Sequence, residues 1–383
     1  MHIGFDVSQT GAKKAGCGYF ADAMVRALMR IAPMHTYALY PSFGDFFFDA
    51  SMPLRNPFES ANVHYGPRHL TRDSASRFWN ASDVETALGK PDVVQANNFW
   101  TPPHVRHARL IYTLYDLSFV VQPDWTTETN RIGCFDGVFR AAIEADWIVA
   151  ISASSRRHFL DVFPHFPPAR VRVIHPCSRF TDTTAEGHRP KALAGVEAFW
   201  LSVSTIEPRK NQRRLAEAYA HYLALGGAPM PLVFAGGDGW LMDDFASYLE
   251  NLGIRDRVIL TGYVSDAELV WMYRHCFAHL YPSWFEGFGL PVLEGLQFGA
   301  PTLASNTTSI PEITADAAIL LPPDETHAWT KAMLDLVDQP GQRERLSSLG
   351  ATRARAFDWQ QSAQALLSLY EEACALPKRS RSA

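Results

Sequence analysis

Short apolar runs alternate with stretches of helical period along the whole chain. In the first half, residues 2–8, 36–41, 92–96, 109–114, 147–151 and 171–175 read as strands. In the second half, 199–204, 231–236, 257–261, 278–281, 301–304 and 317–321 do. Between them, Phe20, Met24, Ala27, Leu28 and Ile31 share one helical face, and so do Leu215, Ala218, Tyr219, Tyr222 and Leu223. Strands that alternate with helices predict an α/β protein whose parallel sheets are covered on both sides. The pattern breaks once, over the polar stretch 177–197 (CSRFTDTTAEGHRPKALAGVE), before a new strand begins at Phe199. The expected division is therefore a first domain over 1–185 and a second over 195–359. A final helix over roughly 360–376 follows, with a frayed tail, LPKRSRSA.

A length of 383 residues agrees with that division, since it exceeds one ordinary core and suits two domains of ~150–200 residues. With 47% hydrophobic and 20% charged residues the chain reads as globular, not disordered. A net charge of −5 offers no global basic field, so nucleic acid is not an expected partner. Five cysteines, far apart and without a CxxC pair, indicate neither a zinc site nor a disulfide framework and fit a reducing compartment. The N-terminus MHIGFDVSQ has no signal-peptide pattern, and no apolar run reaches the ~18 residues of a membrane span. The expected location is the cytoplasm. Peripheral association with the membrane stays open, because Phe46-Phe47-Phe48, Phe78-Trp79 and Phe99-Trp100 accompany Lys13, Lys14, Arg68, Arg72 and Arg77. No D-x-D motif and no helical H-x-x-x-H pair occur, so no metal and no cofactor are expected. His275 and His279 straddle a helix end and a strand and read as structural.

Four segments carry candidate chemistry. In 281–301, YPSWFEGFGLPVLEGLQFGAP, a strand runs into Ser283, and Glu286, Gly287, Phe288, Gly289 and Leu290 then lead to a helix that Pro291 starts. The glycines and the helix N-terminus suit a pyrophosphate or a sugar hydroxyl. Glu294, about one turn into the helix, suits a ribose diol, or simply compensates the helix dipole. In SVSTIEPRKNQRRL (202–215), Arg209 and Lys210 stand just before a helix that Asn211 is placed to cap. Cations are unfavourable there unless something negative lies between them; a diphosphate and plain solvation are the two readings. The loop 8–20, with Gly11, Gly16 and Gly18 ahead of a helix, lacks the G-x-G-x-x-G spacing; it disfavours NAD and is expected to line a cleft floor. Tyr115-Asp116 ends a strand at the edge where α/β proteins bind ligands, and Asp116 equally suits a cap.

Together these segments resemble glycosyltransferase family 4, the group 1 glycosyltransferases. The resemblance spans nearly the whole chain. It is carried by Glu286 and Glu294 within FEGFGLPVLEGLQFGAP, by EPRKN (207–211), VFAGGDGW (233–240), LTGYVSDAELVWMY (260–273), SNTTSIPEI (305–313) and VAISASSRRHFL (149–160). It implies the GT-B fold, two facing Rossmann-like domains with parallel sheets and a cleft between them. It also implies retaining transfer of a hexose from a nucleotide sugar to a glycan or lipid-linked glycan acceptor, as in lipopolysaccharide and other polysaccharide biosynthesis. In such enzymes the first glutamate contacts the donor sugar and the second the ribose. The Lys of the PRK segment holds the diphosphate, and amides after the first glutamate hold hexose hydroxyls. Those roles fall here on Glu286, Glu294, Lys210 and residues 288–290, with Gly262, Tyr263 and Val264 expected near the base. Two departures stand out: Thr205 occupies a position where many members have an arginine, leaving Arg209 to share the phosphate work, and Tyr115-Asp116 replaces a His-Asp. A phenol, with an ordinary pKa of about 10, is a poor general base. Retention in this family is thought to use the leaving phosphate as proton acceptor instead. TIEPRKN and SNTTSIPE look most like the bacterial mannosyltransferases, which makes GDP-mannose the expected donor ahead of a UDP-hexose. A UDP-hexose transferase, a nucleotide-sugar 2-epimerase, a glycogen phosphorylase-like enzyme and a non-catalytic scaffold are the rival readings.

Overall fold

The computed structural model describes residues 1–10, 16–40, 58, 60–66 and 72–380. They form two units, one of Met1–Val120, Thr129–Cys177 and Asp358–Ala383, the other of Val121–Glu128 and Ser178–Phe357.

The first unit holds β1 (His2–Asp6), β2 (Thr36–Tyr40), β3 (Val63–Tyr65), β4 (Val93–Ala96), β5 (Arg109–Leu114), β6 (Trp147–Ala150) and β7 (Val171–Val173). Its sheet order is β3-β2-β1-β4-β5-β6-β7, and every pairing is parallel. The second holds β8 (Trp200–Val203), β9 (Leu232–Ala235), β10 (Val258–Gly262), β11 (Ala278–Tyr281), β12 (Thr302–Ser305) and β13 (Ile319–Leu321), ordered β10-β9-β8-β11-β12-β13 and also all parallel. Central strands such as VVQA, WIVA and LVFA are buried at every position, as strands covered on both faces must be. Alternate residues feed separate layers: Trp200, Leu232 and Phe234 join one core, while Leu201, Val203, Val233 and Ala235 join another. Each expected strand is present, trimmed by a residue or two at some ends. β3, of sequence VHY, is an addition at the edge of its sheet, too short and too exposed to leave an apolar signature.

In both sheets the strand order reverses once, between β1 and β4 and between β8 and β11. Ligands in open α/β sheets sit outside the carboxyl ends of the strands at such a reversal.

Two boundaries differ from the sequence expectation. Residues 121–128 group with the second unit, where the Trp125 carbonyl accepts from Trp240 Nε1 at 2.8 Å and the Trp125 ring packs on Phe285. Residues 178–185 do too, with Phe180 against Phe298 and the Ala185 carbonyl accepting from Arg274. The helix Trp359–Ala375, capped by Asp358, lies in the first unit, where Tyr370 donates to Gln95. Within the described residues, which end at Ser380, the tail is anchored rather than frayed. Arg379 is buried, with its guanidinium on the Ala142 and Ala145 carbonyls, and Lys378 donates to the Ala108 carbonyl.

Phe78 and Trp79, which a membrane-facing surface would need exposed, are core residues that pack with Tyr40. Phe46-Phe47-Phe48, Lys13, Lys14 and Arg68 lie outside the described residues. Among the described residues, no helix is long and apolar enough to cross a membrane.

Candidate active site

At the reversal in the second sheet, the loop after β8 and the loop after β11 meet. Pro208–Lys210 forms a short 3-10 turn, and the Arg209 carbonyl accepts from Trp284 N at 2.9 Å. Asn211 stands at the N-cap position of the helix Gln212–Ala224 but does not cap it. Its backbone is left-handed (φ 60°), and its amide instead donates to the Pro282 and Pro323 carbonyls at 3.0 and 2.8 Å. The expected cap is thus a clamp between loops.

Glu286 lies at the centre and is almost fully buried. Its Oε1 accepts from Lys210 Nζ at 2.7 Å, Tyr281 at 3.0 Å and Ser283 at 2.5 Å, and its Oε2 from Arg209 at 3.2 Å. Arg209 also donates to Glu207 at 2.6 Å and to the Phe285 carbonyl at 2.7 Å. The negative group that the two cations require is therefore Glu286 itself. Burial alone would raise the Glu286 pKa, but Lys210 and Arg209 outweigh it and bring it down to about 2. The ionised pairing contributes stability that is complete above the ordinary value of 4.5 and is lost as pH falls towards 2. The shift corresponds to about 3 kcal/mol. Denaturant melts of wild type and Glu286→Gln should differ by about that much at pH 7, and the difference should shrink by more than half at pH 3. An undiminished gap at pH 3 would contradict this linkage.

The turn after Glu286 is packed closely against its own unit. Gly289 has φ 104°, and a Cβ there would sit 2.7 Å from Ile310. Leu290 and Pro291 open the helix Leu290–Gln297. Ser309 donates to the Glu286 and Phe288 carbonyls, and Thr308 accepts from Glu286 N, so the segment Glu286, Gly287, Phe288 is pinned from beneath. Phe288 itself is buried against Phe357.

Glu294, in the second turn of that helix, is also buried. It pairs with Arg179 (Nε–Oε1 3.1 Å, Nη2–Oε2 3.4 Å) and accepts from Tyr273 at 3.4 Å. Burial dominates over these long contacts, and Asp266 adds negative charge, so its pKa is pushed up to about 7. Its linkage is opposite to that of Glu286: it disfavours folding progressively as pH rises from 4.5 to 7. Around the same strand edge, Thr205 is exposed with its carbonyl taken by Gln212. Gly262 (φ 66°) ends β10, and Tyr263 and Val264 follow it, with Tyr263 74% exposed.

The remaining candidates belong to the first unit. Tyr115 is buried, its hydroxyl donating to the Asn97 carbonyl at 2.6 Å, and burial raises its pKa well above 10. Asp116 accepts from the amide and hydroxyl of Ser118 at 2.9 and 2.7 Å, a local turn just ahead of the short helix Ser118–Val121. Gly16 and Gly18 are the first and third residues of the helix Gly16–Ile31 rather than loop residues. His279 is fully buried against Tyr273 and Tyr281, with its pKa lowered to about 3 by burial, a structural placement. Among the described residues, no group of acidic, His or Cys side chains is arranged to hold a metal ion.

Sequence reasoning did not single out Arg179, Glu207, Tyr273, Tyr281 or Ser283. Glu207, Tyr273, Tyr281 and Ser283 stand within the motifs themselves, which was the available signal; Arg179 lies 115 residues from Glu294.

Comparison with known proteins agrees with this arrangement. Residues 184–353 match the family model of glycosyl transferases group 1. The chain is 28% identical to O-antigen chain mannosyltransferase B of Escherichia coli, over 74% of both chains. It is 30% identical to a D-inositol 3-phosphate glycosyltransferase of Kineococcus radiotolerans, over 82% of this chain and 75% of that one. It also matches the serotype-specific mannosyltransferase WbdA of Escherichia coli at 28% identity, spanning 47% of that longer protein's length. Among solved structures, Anabaena Alr3699/HepE in complex with UDP and glucose superposes with a TM-score of 0.70 at 17% identity, covering 97% of this chain and all of that one. The chain belongs to the group 1 glycosyltransferases, and its two parallel-sheet units are the Rossmann-like halves of the GT-B fold.

Proposed function

We propose that the protein is a retaining glycosyltransferase of cell-surface polysaccharide synthesis, moving a hexose from a nucleoside diphosphate sugar to a glycan or lipid-linked glycan acceptor. The observation that carries this reading is the buried Glu286–Lys210–Arg209 cluster at the β8/β11 reversal. In this reading a bound diphosphate shares the two cations with Glu286, and Glu286 turns its acceptor capacity to hexose hydroxyls. As the glycosidic bond breaks, charge accumulates on the leaving diphosphate, where Lys210, Arg209 and the 287–290 turn, at a helix N-terminus, stabilise it. The leaving phosphate takes the acceptor proton. A side-chain base is not needed, in keeping with a Tyr115 hydroxyl already donated to Asn97. Glu294 takes the ribose, and Tyr263 offers an exposed ring beside the base. The reaction proceeds without metal in the cytoplasm, at the membrane face where a lipid-linked acceptor would sit.

GDP-mannose is the proposed donor, because the matching relatives include mannosyltransferases. The UDP-bound structural neighbour keeps UDP-hexose as the alternative. A ligand that binds only the folded state stabilises it by RT ln(1 + [L]/Kd). GDP should therefore raise the melting temperature more than UDP at equal concentration, and GDP-mannose turnover should persist in EDTA. A larger shift with UDP overturns the donor. Loss of activity in EDTA, restored by Mg²⁺ or Mn²⁺, overturns the metal-free reading.

A further inference from the structure

We infer that Arg179 is a positioning residue for Glu294, fixing the carboxylate so that its remaining lone pairs receive the hydroxyls of a nucleotide ribose. The inference rests on the reading of Glu294 as the ribose acceptor.

Arg179 reaches Glu294 from outside the second unit's strand–helix framework, on the polar segment that follows Cys177. That segment is fastened where it must be. The Phe180 ring packs on Phe298 at 5.2 Å, its carbonyl accepts from Gln297 Nε2 at 2.8 Å, and the Arg179 guanidinium lies over the Phe180 ring at 5.0 Å. Asp266 holds the far side of the guanidinium at 3.5 Å. Arg179 then meets both oxygens of Glu294, and the Tyr273 hydroxyl meets Oε2. A carboxylate offers about four lone-pair sites. The two hydrogen bonds, from Arg179 Nη2 and Tyr273, both fall on Oε2 and fix the plane, while Oε1 has only the ion-pair contact with Arg179 Nε, so two sites remain for the two hydroxyls of a diol.

The charged and titratable groups facing Glu294 are Arg179, Asp266, Tyr273 and, against the neighbouring Gly295, the neutral His279 ring. Burial opposes ionisation most strongly and Asp266 adds to it, while Arg179, with a smaller part from the Tyr273 hydroxyl, favours the charged form. A purely structural buried ion pair adds little net stability over apolar packing. Its position beside the proposed nucleotide site is better explained by ligand binding.

The test is calorimetric titration of GDP and UDP, with inorganic pyrophosphate as a second probe, from pH 6 to 9. The proteins are wild type, Arg179→Gln, Arg179→Lys and Glu294→Gln. Arg179→Gln should bind the nucleotide about tenfold more weakly at pH 7, the loss expected when one charge-assisted hydrogen bond fails. It should recover at pH 9, because the carboxylate then ionises without help. Arg179→Lys, which keeps the charge but not the two-point contact, should keep the wild-type pH midpoint and lose less affinity than Arg179→Gln, and pyrophosphate should bind all four proteins alike. Wild-type nucleotide affinity and pH midpoint in Arg179→Gln would overturn the inference, as would Arg179→Lys losing as much as Arg179→Gln. Undiminished nucleotide affinity in Glu294→Gln would instead remove the ribose reading beneath it.

Discussion

Lys210→Ala is expected to lower the release of nucleoside diphosphate from the sugar donor by about 100-fold or more in kcat, the effect of deleting one preorganised donor to a developing anion. Lys210 is largely buried and directed at Glu286 Oε1 and the Tyr281 hydroxyl, so its side chain already lies where it is needed. Glu286→Gln should be comparably damaging for a different reason. The neutral amide leaves Lys210 and Arg209 unbalanced in a buried site and weakens the acceptor for hexose hydroxyls. The two substitutions share one ion pair, so the double variant should be little worse than either single one. Lys331→Ala, which removes an exposed lysine paired to Asp335, is the matched control and should leave kcat unchanged. Near-wild-type kcat in Lys210→Ala would remove the electrostatic account of leaving-group departure.

Gly137→Ala is expected to cost about 3 kcal/mol or more, because overpacking against a rigid neighbour cannot relax. A Cβ built there falls 1.7 Å from the Phe99 carbonyl oxygen and 2.4 Å from its carbon, and backbone cannot swing aside as a side-chain tip can. Thr101 strengthens the close approach by donating to the Gly137 carbonyl at 2.8 Å. Gly133, on the same helix Glu128–Glu144, has open space around its missing Cβ. Gly133→Ala should therefore stabilise by about 0.5–1 kcal/mol through helix propensity and a less mobile unfolded chain. Equilibrium denaturation of both variants tests the pair. Equal effects at the two positions would contradict the assigned packing.

The fold was legible where burial imposes a simple pattern. Strands buried on both faces appear as apolar runs, so β4, β6, β8 and β9 were readable from VVQA, WIVA, WLSV and LVFA. β3 was not, because VHY at a sheet edge has no apolar periodicity. The candidate site was legible where chemistry is local in sequence. The Glu286–Glu294 spacing and the PRK turn lie within single strand–loop–helix segments. What joins them was hidden, because Arg179 and Tyr273 reach Glu294 through tertiary packing alone. Asn211 was misread as a cap, and the hydrogen bond of Tyr115 was not visible in the sequence at all. The sequence shows a polar group at a plausible place, while the structure decides whether its hydrogen bonds go to a ligand, a helix end or a neighbouring carbonyl. The 121–128 segment was assigned to the wrong unit because nothing in its composition reports Trp125 packing on Phe285.

The central claim is that a nucleoside diphosphate sugar binds at the carboxyl edge of β8 and β11. A crystal structure of the protein with GDP or GDP-mannose tests it most directly. The account predicts the diphosphate within hydrogen-bond reach of Lys210 and the 287–290 turn, the ribose hydroxyls on Glu294, the hexose at Glu286 and the base beside Tyr263. A nucleotide bound elsewhere, or one at this edge with its ribose away from Glu294 and its phosphates away from Lys210, would contradict it.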